Sequence, residues 1–129
     1  MRRPKILEDA GFDIYVNTQK LRDLPIPIEI MNIQDLIWCF DYPVWEKDQT
    51  DDWNLTPWEV IKNDKGTTEH RKRVNEVDIQ YPIIVMFHKD KWVILDGIHR
   101  LVKAYELGGS KIEAQKLSKD SEFYMSALK

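Results

Sequence analysis

The sequence predicts a single small α+β domain. The chain has 129 residues, a length typical of one domain. Hydrophobic residues make up 43% of it and charged residues 32%, as in globular rather than disordered proteins. Two apolar runs between residues 81 and 95 have the character of strands, and the segment that follows has helical periodicity. Strands and helices therefore follow one another within a short chain.

The N-terminal third is expected to contain an arm and the first strand. Residues 1–22 mix apolar and charged residues, which predicts an arm with a short helix ahead of a domain spanning residues 23–129. Isoleucine then recurs at every second position in the stretch 24–33, which is strand periodicity. Two prolines at its start remove backbone donors, so this strand is expected at an edge of the sheet.

The middle of the chain is predicted to hold an ordered loop and two helices. Residues 38–55 are rich in Trp and Asp, and aromatic side chains of that size need a surface to pack on. Thr56, Pro57 and Glu59 together predict a helix start, because Thr can cap, Pro suits the first position and Glu completes a capping box. A second helix is expected over residues 67–78.

The C-terminal half has the clearest pattern. Residues 81–95 predict a β-hairpin, with a polar turn between two apolar strands. Residues 98–107 predict a helix, which two glycines then stop. One more strand is expected over 112–117 and a terminal helix over 119–128.

Composition excludes several classes of protein. The net charge is −3 and the pI is about 5.6, whereas a chain that binds duplex DNA alone usually has a basic surplus. A nucleic-acid partner is therefore disfavoured, and the basic run 71–73, which alternates with acids, is interpreted as a solvated helix face. No stretch approaches about 20 apolar residues and no signal peptide is recognised, so we expect a cytoplasmic protein without a membrane span.

The cysteine and histidines carry little signal of their own. Cys39 is the one cysteine and lies between two aromatic residues, which predicts a buried structural thiol. No Cys or His pair has zinc-ligand spacing, so no residue is assigned to metal. His70 lies in a charged helix and His88 in the hairpin turn, and both are expected to be solvated.

The chemistry is concentrated where the hairpin meets the following helix. A strand ends at Asp96, Gly97 turns the chain and a helix begins, so unpaired N–H groups and the helix dipole create a place for an anion. His99 and Lys103 lie on the side away from the apolar face, with Arg100 at its flank. All three are therefore cationic donors in the first turn and a half and are candidate phosphate ligands. The alternative is that Asp96 merely caps the helix and Asp-Gly is an ordinary turn.

Residues 81–117 resemble the ParB-like/sulfiredoxin-like superfamily. Its hallmark is a strand led by proline, a hairpin, and Gly-x-His-Arg or Gly-x-Arg-Arg at the start of a helix. Residues 28–36, IEIMNIQDL, resemble the opening strand of that family, whereas residues 38–78 do not align. The resemblance implies an α+β fold with a small mixed sheet flanked by helices.

The resemblance also implies a nucleotide site. In this superfamily the corresponding turn binds the phosphates of ATP or CTP, usually with Mg²⁺. By motif position Gly97, Ile98, His99 and Arg100 would contact phosphate, and Asp96 would lie beside phosphate or metal. Asp96 and His99 are accordingly candidate catalytic residues.

Differences among members narrow the expected activity. Sulfiredoxins have a catalytic cysteine where this chain has Ile98, so reduction of sulfinic acids is not expected. ParB partition proteins continue into a helix-turn-helix domain, which this sequence lacks, so centromere binding is not expected either. Free serine kinases of this fold take a catalytic acid from the loop after the first strand.

The acid-rich loop is the candidate source of a catalytic carboxylate. We select Glu46, because its neighbour Trp45 could anchor the backbone, and the alternative is that all these acids are surface groups and caps. The acids considered are Asp41, Glu46, Asp48, Asp51 and Asp52. The tryptophans of the loop could stack a nucleotide base, although such residues more often pack in a core.

Three functions stay open from the sequence. The first is an NTP-dependent phosphotransferase or NTPase acting at the turn. The second is a nuclease, which the acidic net charge disfavours. The third is a non-catalytic module that binds a nucleotide or a phosphorylated partner and switches conformation.

Overall fold

The computed structural model describes residues 2–128 and has an α+β fold. The strands are β1 (Ile28–Asn32), β2 (Ile83–His88), β3 (Lys91–Asp96) and β4 (Lys111–Lys116). The helices are α1 (Lys5–Ala10), α2 (Thr18–Arg22), α3 (Pro57–Ile61), α4 (Thr68–Glu76), α5 (Ile98–Glu106) and α6 (Glu122–Ala127). Two 3₁₀ turns, Ile33–Asp35 and Ile37–Asp41, follow β1. The predicted α+β class is confirmed.

The four strands form one mixed sheet in the order β1-β4-β2-β3. The β1–β4 and β2–β3 pairs are antiparallel and the β2–β4 pair is parallel. The first strand lies at an edge, as its two leading prolines predict. Ile28 and Ile30, which define its alternation, are 54% and 60% exposed, whereas Met31 is buried. The alternation of isoleucines therefore predicts the position of the strand correctly, but these isoleucines lie on its exposed face.

Hydrophobic cores lie on both faces of the sheet. Ile83 and Val85 of β2 belong to a larger core with α1, α3, α4 and α5. Ile84 and Met86, which alternate with them, belong to a smaller core with α2 and α6. Since both faces of β2 are covered, its sequence is a continuous apolar run.

The N-terminal arm packs on the rest of the chain. Leu7 of α1 is fully buried in the larger core, and Leu21 of α2 is fully buried in the smaller one. Val16 also pairs with Leu128 in an isolated β-bridge. Residues 2–22 thus pack against the rest of the chain and bring α2 to the sheet edge where β3 ends.

The long loop after β1 is ordered, as predicted. Trp45 and Leu55 form a β-bridge across it. The Thr56 hydroxyl accepts from the Glu59 N–H at 3.2 Å, and the Glu59 carboxylate accepts from the Thr56 N–H at 2.9 Å. This is the predicted capping box, and it begins α3. The loop is therefore held at both ends.

The hairpin and the cysteine agree with their predictions, whereas His88 does not. Lys89 and Asp90 form the hairpin turn with φ values of 52° and 64°. Cys39 is buried, and desolvation raises the pKa of its thiol to about 12, so it is no nucleophile. The expectation that His88 is solvated is wrong, because its Nε2 lies 2.7 Å from Asp13 Oδ1 and its side chain is 14% exposed. The reason is that α1 and the segment after it pack beside the hairpin tip.

None of the helices that the structure describes has the length and apolar character needed to cross a membrane.

Candidate functional site

The turn between β3 and α5 requires a glycine. Gly97 has φ 112° and ψ 24°, a left-handed conformation that L side chains rarely adopt. A Cβ on Gly97 would lie 2.7 Å from Ile83 Cγ2, closer than packing allows. Behind the turn, Leu101, Val102 and Ala104 bury the apolar face of α5. The turn is therefore pressed against β2 while its outer side stays open.

The first turn of α5 has N–H groups available to a ligand. Within residues 2–128, no hydrogen bond is donated by the backbone N–H of Ile98, His99 or Arg100. The first bond of the helix runs from the Leu101 N–H to the Gly97 carbonyl at 3.0 Å. No side chain caps these groups, so Asp96 does not serve as the N-cap that was the alternative interpretation.

Two cavities flank this turn and share Arg73, Asp96, Gly97 and His99 in their walls. The arm-side cavity, of about 380 Å³, is bounded also by the N-terminal arm and by the loop tryptophans. The α4-side cavity, of about 350 Å³, is bounded also by the end of α4 and by two arginines. The lining residues used below are Arg3, Trp45 and Trp53 in the arm-side cavity, and Arg22 and Arg100 in the α4-side cavity.

Asp96 is held between two guanidinium groups. Its Oδ2 accepts from Arg22 Nε at 2.9 Å and from Arg100 Nη2 at 3.4 Å. Its side chain is 12% exposed, and the pair with Asp96 raises the pKa of Arg22. Asp96 thus joins the N-terminal arm to the turn. The negative charge of its carboxylate is balanced by the two guanidinium groups.

The other two predicted phosphate ligands use their donors within the protein. The Arg100 guanidinium donates to the carbonyls of Tyr81 and Pro82 in addition to Asp96. The Lys103 ammonium donates to the carbonyls of Asn75 and Val77 at 2.9 and 2.8 Å. Arg100 still lines the α4-side cavity, whereas the Lys103 ammonium lies against the C-terminal end of α4 and lines neither cavity. The reason is that the loop from α4 to β2 leaves carbonyls that these cations satisfy.

His99 belongs to a chain of three hydrogen-bonded groups. His99 Nε2 lies 2.9 Å from His70 Nδ1, and His70 Nε2 lies 3.1 Å from Glu46 Oε1. Both imidazoles lie flat on the indole of Trp45, with ring centroids 4.4 Å away for His99 and 4.6 Å away for His70. Glu46, selected from sequence for another reason, therefore reaches the turn through His70.

The expectation that His70 is solvated is wrong. His70 is 1% exposed, since it is covered by Trp45 on one ring face and bonded at both nitrogens. Burial lowers its pKa, which the hydrogen bond to Glu46 partly offsets. His70 is thus a neutral member of the site, and the sequence pattern of a charged helix concealed it.

His99 is neutral as well, which corrects its description as a cationic donor. Burial lowers its pKa to about 3, and the positive charge of Arg73 adds to that effect. Its Nδ1 has no hydrogen-bond partner in the described part of the chain. His99 therefore presents a nitrogen without a partner beside the open N–H groups.

Arg73 is the cation that sequence reasoning missed. It lines both cavities, is exposed, and forms no ion pair with any residue that the structure describes. Its neighbours differ, because Arg71 pairs with Glu106 at 2.6 Å and Lys72 with Glu76 at 4.0 Å. The spacing of three between His70 and Arg73 places both on one helix face, and this was the signal available in the sequence.

The donor set does not form a magnesium site. No three His, Cys, Asp or Glu side chains within residues 2–128 gather to hold a metal ion. Asp41 accepts from the Trp58 indole at 2.8 Å, and Asp48 accepts from the backbone of Thr68 and Glu69 at 2.9 Å each. Asp96 lies between two arginines and Glu46 is bonded to His70, so these acids are also engaged, and we assign no step to Mg²⁺.

Comparisons with known proteins give one weak similarity. No family model and no curated protein matches the chain. A sulfiredoxin from Arabidopsis thaliana of known structure is similar, with 15% sequence identity and a TM-score of 0.37 over 73% of this chain and 90% of that one. A likeness this low supports no conclusion about activity, so the family resemblance of the turn stays a prediction.

Proposed function

We propose that this chain binds the phosphate groups of a nucleotide at the Gly97 turn and catalyses phosphoryl transfer or hydrolysis there. The observation that carries the proposal is the open first turn of α5. Its N–H groups are unbonded within the described residues, and they lie beside Arg73, Arg22 and the neutral His99. Amides at a helix start and guanidinium groups are the donors that phosphate prefers.

The backbone amides and the guanidinium groups would bind different parts of the ligand. The amides of Ile98 and His99 would donate hydrogen bonds to one phosphate group at close range, since Gly97 has no side chain to keep it away. Arg73 would add a charge from the other wall, and it forms no ion pair within residues 2–128. Arg22 would contribute once a phosphate draws it from Asp96. A polyphosphate chain would thus be favoured over a single phosphate.

The predicted cofactors ATP and CTP enter as substrates in this proposal. The loop tryptophans bound the arm-side cavity, where Trp45 and Trp53 lie. The Trp45 face is occupied by the two imidazoles, so it does not stack a base. Trp53 also bounds this cavity, so its ring would contact a base that enters there.

Calorimetric titration tests the proposal. ATP, CTP and pyrophosphate are titrated into the full chain with and without Mg²⁺, in parallel with Arg73→Ala and Lys72→Ala. We expect binding that Arg73→Ala weakens and Lys72→Ala leaves unchanged, and isotope-labelled nucleotide then reveals turnover. The absence of binding by all three ligands contradicts the proposal.

One observation favours a second candidate, a regulatory module that binds a nucleotide without turning it over. The Arg22–Asp96 pair joins the N-terminal arm to the turn, so a phosphate that attracts Arg22 would loosen the arm. Saturating binding without release of product, together with protease sensitivity of residues 2–22 that changes with the ligand, would support this candidate.

A further inference from the structure

Glu46, His70 and His99 are joined by two hydrogen bonds, and the donor and the acceptor in each bond follow from the chemistry of the groups. An ionised carboxylate only accepts, so the His70 nitrogen that faces Glu46 must carry the proton. A neutral imidazole has one donor and one acceptor, which makes His70 Nδ1 an acceptor. His99 Nε2 lies 2.9 Å from that acceptor and must donate to it. His99 Nδ1 is then left with a lone pair.

We propose that Glu46 and His70 are positioning residues that hold His99 as the Nε2–H tautomer, so that Nδ1 acts as the general base in phosphoryl transfer. The proposal rests on the proposed function and names the atom that removes the proton. It gives Glu46 a different role from the one predicted from sequence, since Glu46 acts through His70 and does not contact the reacting group.

The surroundings hold this arrangement in place. His70 is 1% exposed, and the planes of His70 and Trp45 differ by 10°. The His99 ring is inclined by 18° to the same indole and lies within 9° of the His70 plane. A ring that turned over would lose its stacking or its hydrogen bond. The ring orientation and the tautomer that the proposed base requires are thus set before any ligand binds.

The proposed step balances in protons and electron pairs. His99 Nδ1 takes the proton of a water molecule or of a hydroxyl group on the acceptor. The oxygen so released forms a bond to the phosphorus of the terminal phosphate, and the bond from phosphorus to the bridging oxygen breaks. The electron pair leaves with the nucleoside diphosphate. Burial and the charge of Arg73 lower the pKa of His99 in the free protein, and the negative charge of the bound phosphates would offset both effects. The positive charge on His99 would then be stabilised by those phosphates and by the hydrogen bond to His70, which Glu46 orients.

Nitrogen NMR of the free protein tests the tautomer without any ligand. With histidine labelled at both ring nitrogens, the shift and the coupling pattern report which nitrogen carries the proton. We expect His99 protonated at Nε2 and bare at Nδ1 in the wild-type chain. Glu46→Gln permits the reverse direction, because an amide can donate to His70, so a population of His99 with Nδ1–H is expected to appear.

Kinetics of the same variants test the catalytic role. Glu46→Gln should lower kcat for nucleotide turnover by about 10²-fold with little change in KM, because general-base catalysis typically contributes about 10² to 10⁴. His88→Gln serves as the control, since that residue lies at the hairpin tip. Glu46 is half exposed, so Glu46→Gln is expected to fold, and circular dichroism checks this.

The outcomes separate this proposal from the proposed function. If His99 of the wild-type protein is protonated at Nδ1, the proposed positioning by Glu46 and His70 is wrong, even if the protein turns nucleotides over. The expected tautomer without turnover of any nucleotide overturns the general-base role together with the proposed function. The expected tautomer with a kcat that Glu46→Gln leaves unchanged overturns the positioning role alone.

Discussion

Two histidine–carboxylate clusters of this chain look similar and differ in one respect. At the hairpin tip, His88 Nε2 lies 2.7 Å from Asp13, and the Lys119 ammonium lies against Nδ1. At the Gly97 turn, His99 Nε2 is bonded to His70, whereas Nδ1 has no partner among residues 2–128. Both ring nitrogens of His88 are therefore occupied, while one nitrogen of His99 is available.

The difference shows what makes a histidine chemically useful. A carboxylate partner is common to both clusters, and each histidine is partly buried. At the turn, by contrast, His99 Nδ1 has no partner among the described residues. Nearby are the unbonded amides of the first turn of α5 and Arg73, which forms no ion pair within residues 2–128. The hairpin cluster ties α1, the hairpin and the C-terminal segment together and is structural.

The largest expected difference between the two clusters is in activity. His99→Ala should lower nucleotide turnover by about 10² to 10⁴, the usual contribution of a positioned acid or base. His88→Ala should leave turnover within about 3-fold of wild type and lower stability by about 1 kcal/mol, because it removes a hydrogen bond. Turnover of radiolabelled ATP and CTP and urea unfolding measure the two effects. Equal loss of turnover in both variants would show that His99 has no special role in the activity.

Replacing Gly97 at the start of α5 should cost more stability than replacing Gly108 after its end. Gly97→Ala places a Cβ 2.7 Å from Ile83 at φ 112°, and we expect a loss of about 2 to 4 kcal/mol from backbone strain and overpacking. Gly108→Ala has φ 80° but no atom within 4 Å, so a loss of about 1 kcal/mol is expected. Urea unfolding of both variants measures the difference. Equal losses would show that Ile83 does not restrict the turn.

The histidines at the turn should also shape stability at mildly acidic pH. The pKa of His99 is lowered to about 3 in the folded chain, so between pH 6.5 and 3 the unfolded chain binds more protons. Stability should therefore fall as the pH falls, with His99 contributing about 2 kcal/mol between pH 7 and pH 5.

Unfolding in urea at several pH values measures this loss, with His99→Gln as the matched variant. His99→Gln should unfold with a shallower dependence on pH, while any contribution of His70 stays. An unchanged dependence in His99→Gln would mean that His99 is protonated in the folded chain.

The smallest predicted effect concerns the cations next to the turn. Arg73→Ala should weaken nucleotide affinity about 10-fold and reduce its dependence on salt, because a guanidinium contact to phosphate contributes about 1 to 3 kcal/mol. Lys72→Ala removes a neighbouring charge that pairs with Glu76, and it should change affinity by less than 2-fold, as is usual for exposed pairs of about 0.5 kcal/mol. Calorimetry at two salt concentrations compares them.

The parts of the fold that were predicted correctly depend on local sequence. The hairpin, α5 and the capping box at Thr56 follow from periodicity and from residues at most a few positions apart. The turn at Gly97 was found for the same reason. Glu46 was selected among five acids because Trp45 precedes it. The structure brings it to the site through a hydrogen bond to His70, which the local sequence does not indicate.

What was missed depends on contacts between distant parts of the chain. His70 meets Glu46 across 24 residues and His99 across 29. Arg22 reaches Asp96 across 74 residues. Arg73 forms no ion pair among the described residues, whereas Arg71 and Lys72 pair with Glu106 and Glu76. A single sequence does not reveal which cations form ion pairs. The charge of His99 was also misjudged, since burial against Trp45 decides it.

Nucleotide binding at the Gly97 turn can be tested by mapping amide shifts by NMR while ATP or CTP is added to the full chain. We expect the largest shifts on the amides of residues 97–100 and on the Arg73 guanidinium, with the hairpin tip around His88 unchanged. Nucleotide binding that leaves the amides of residues 97–100 unmoved, or no binding at all, would contradict this expectation.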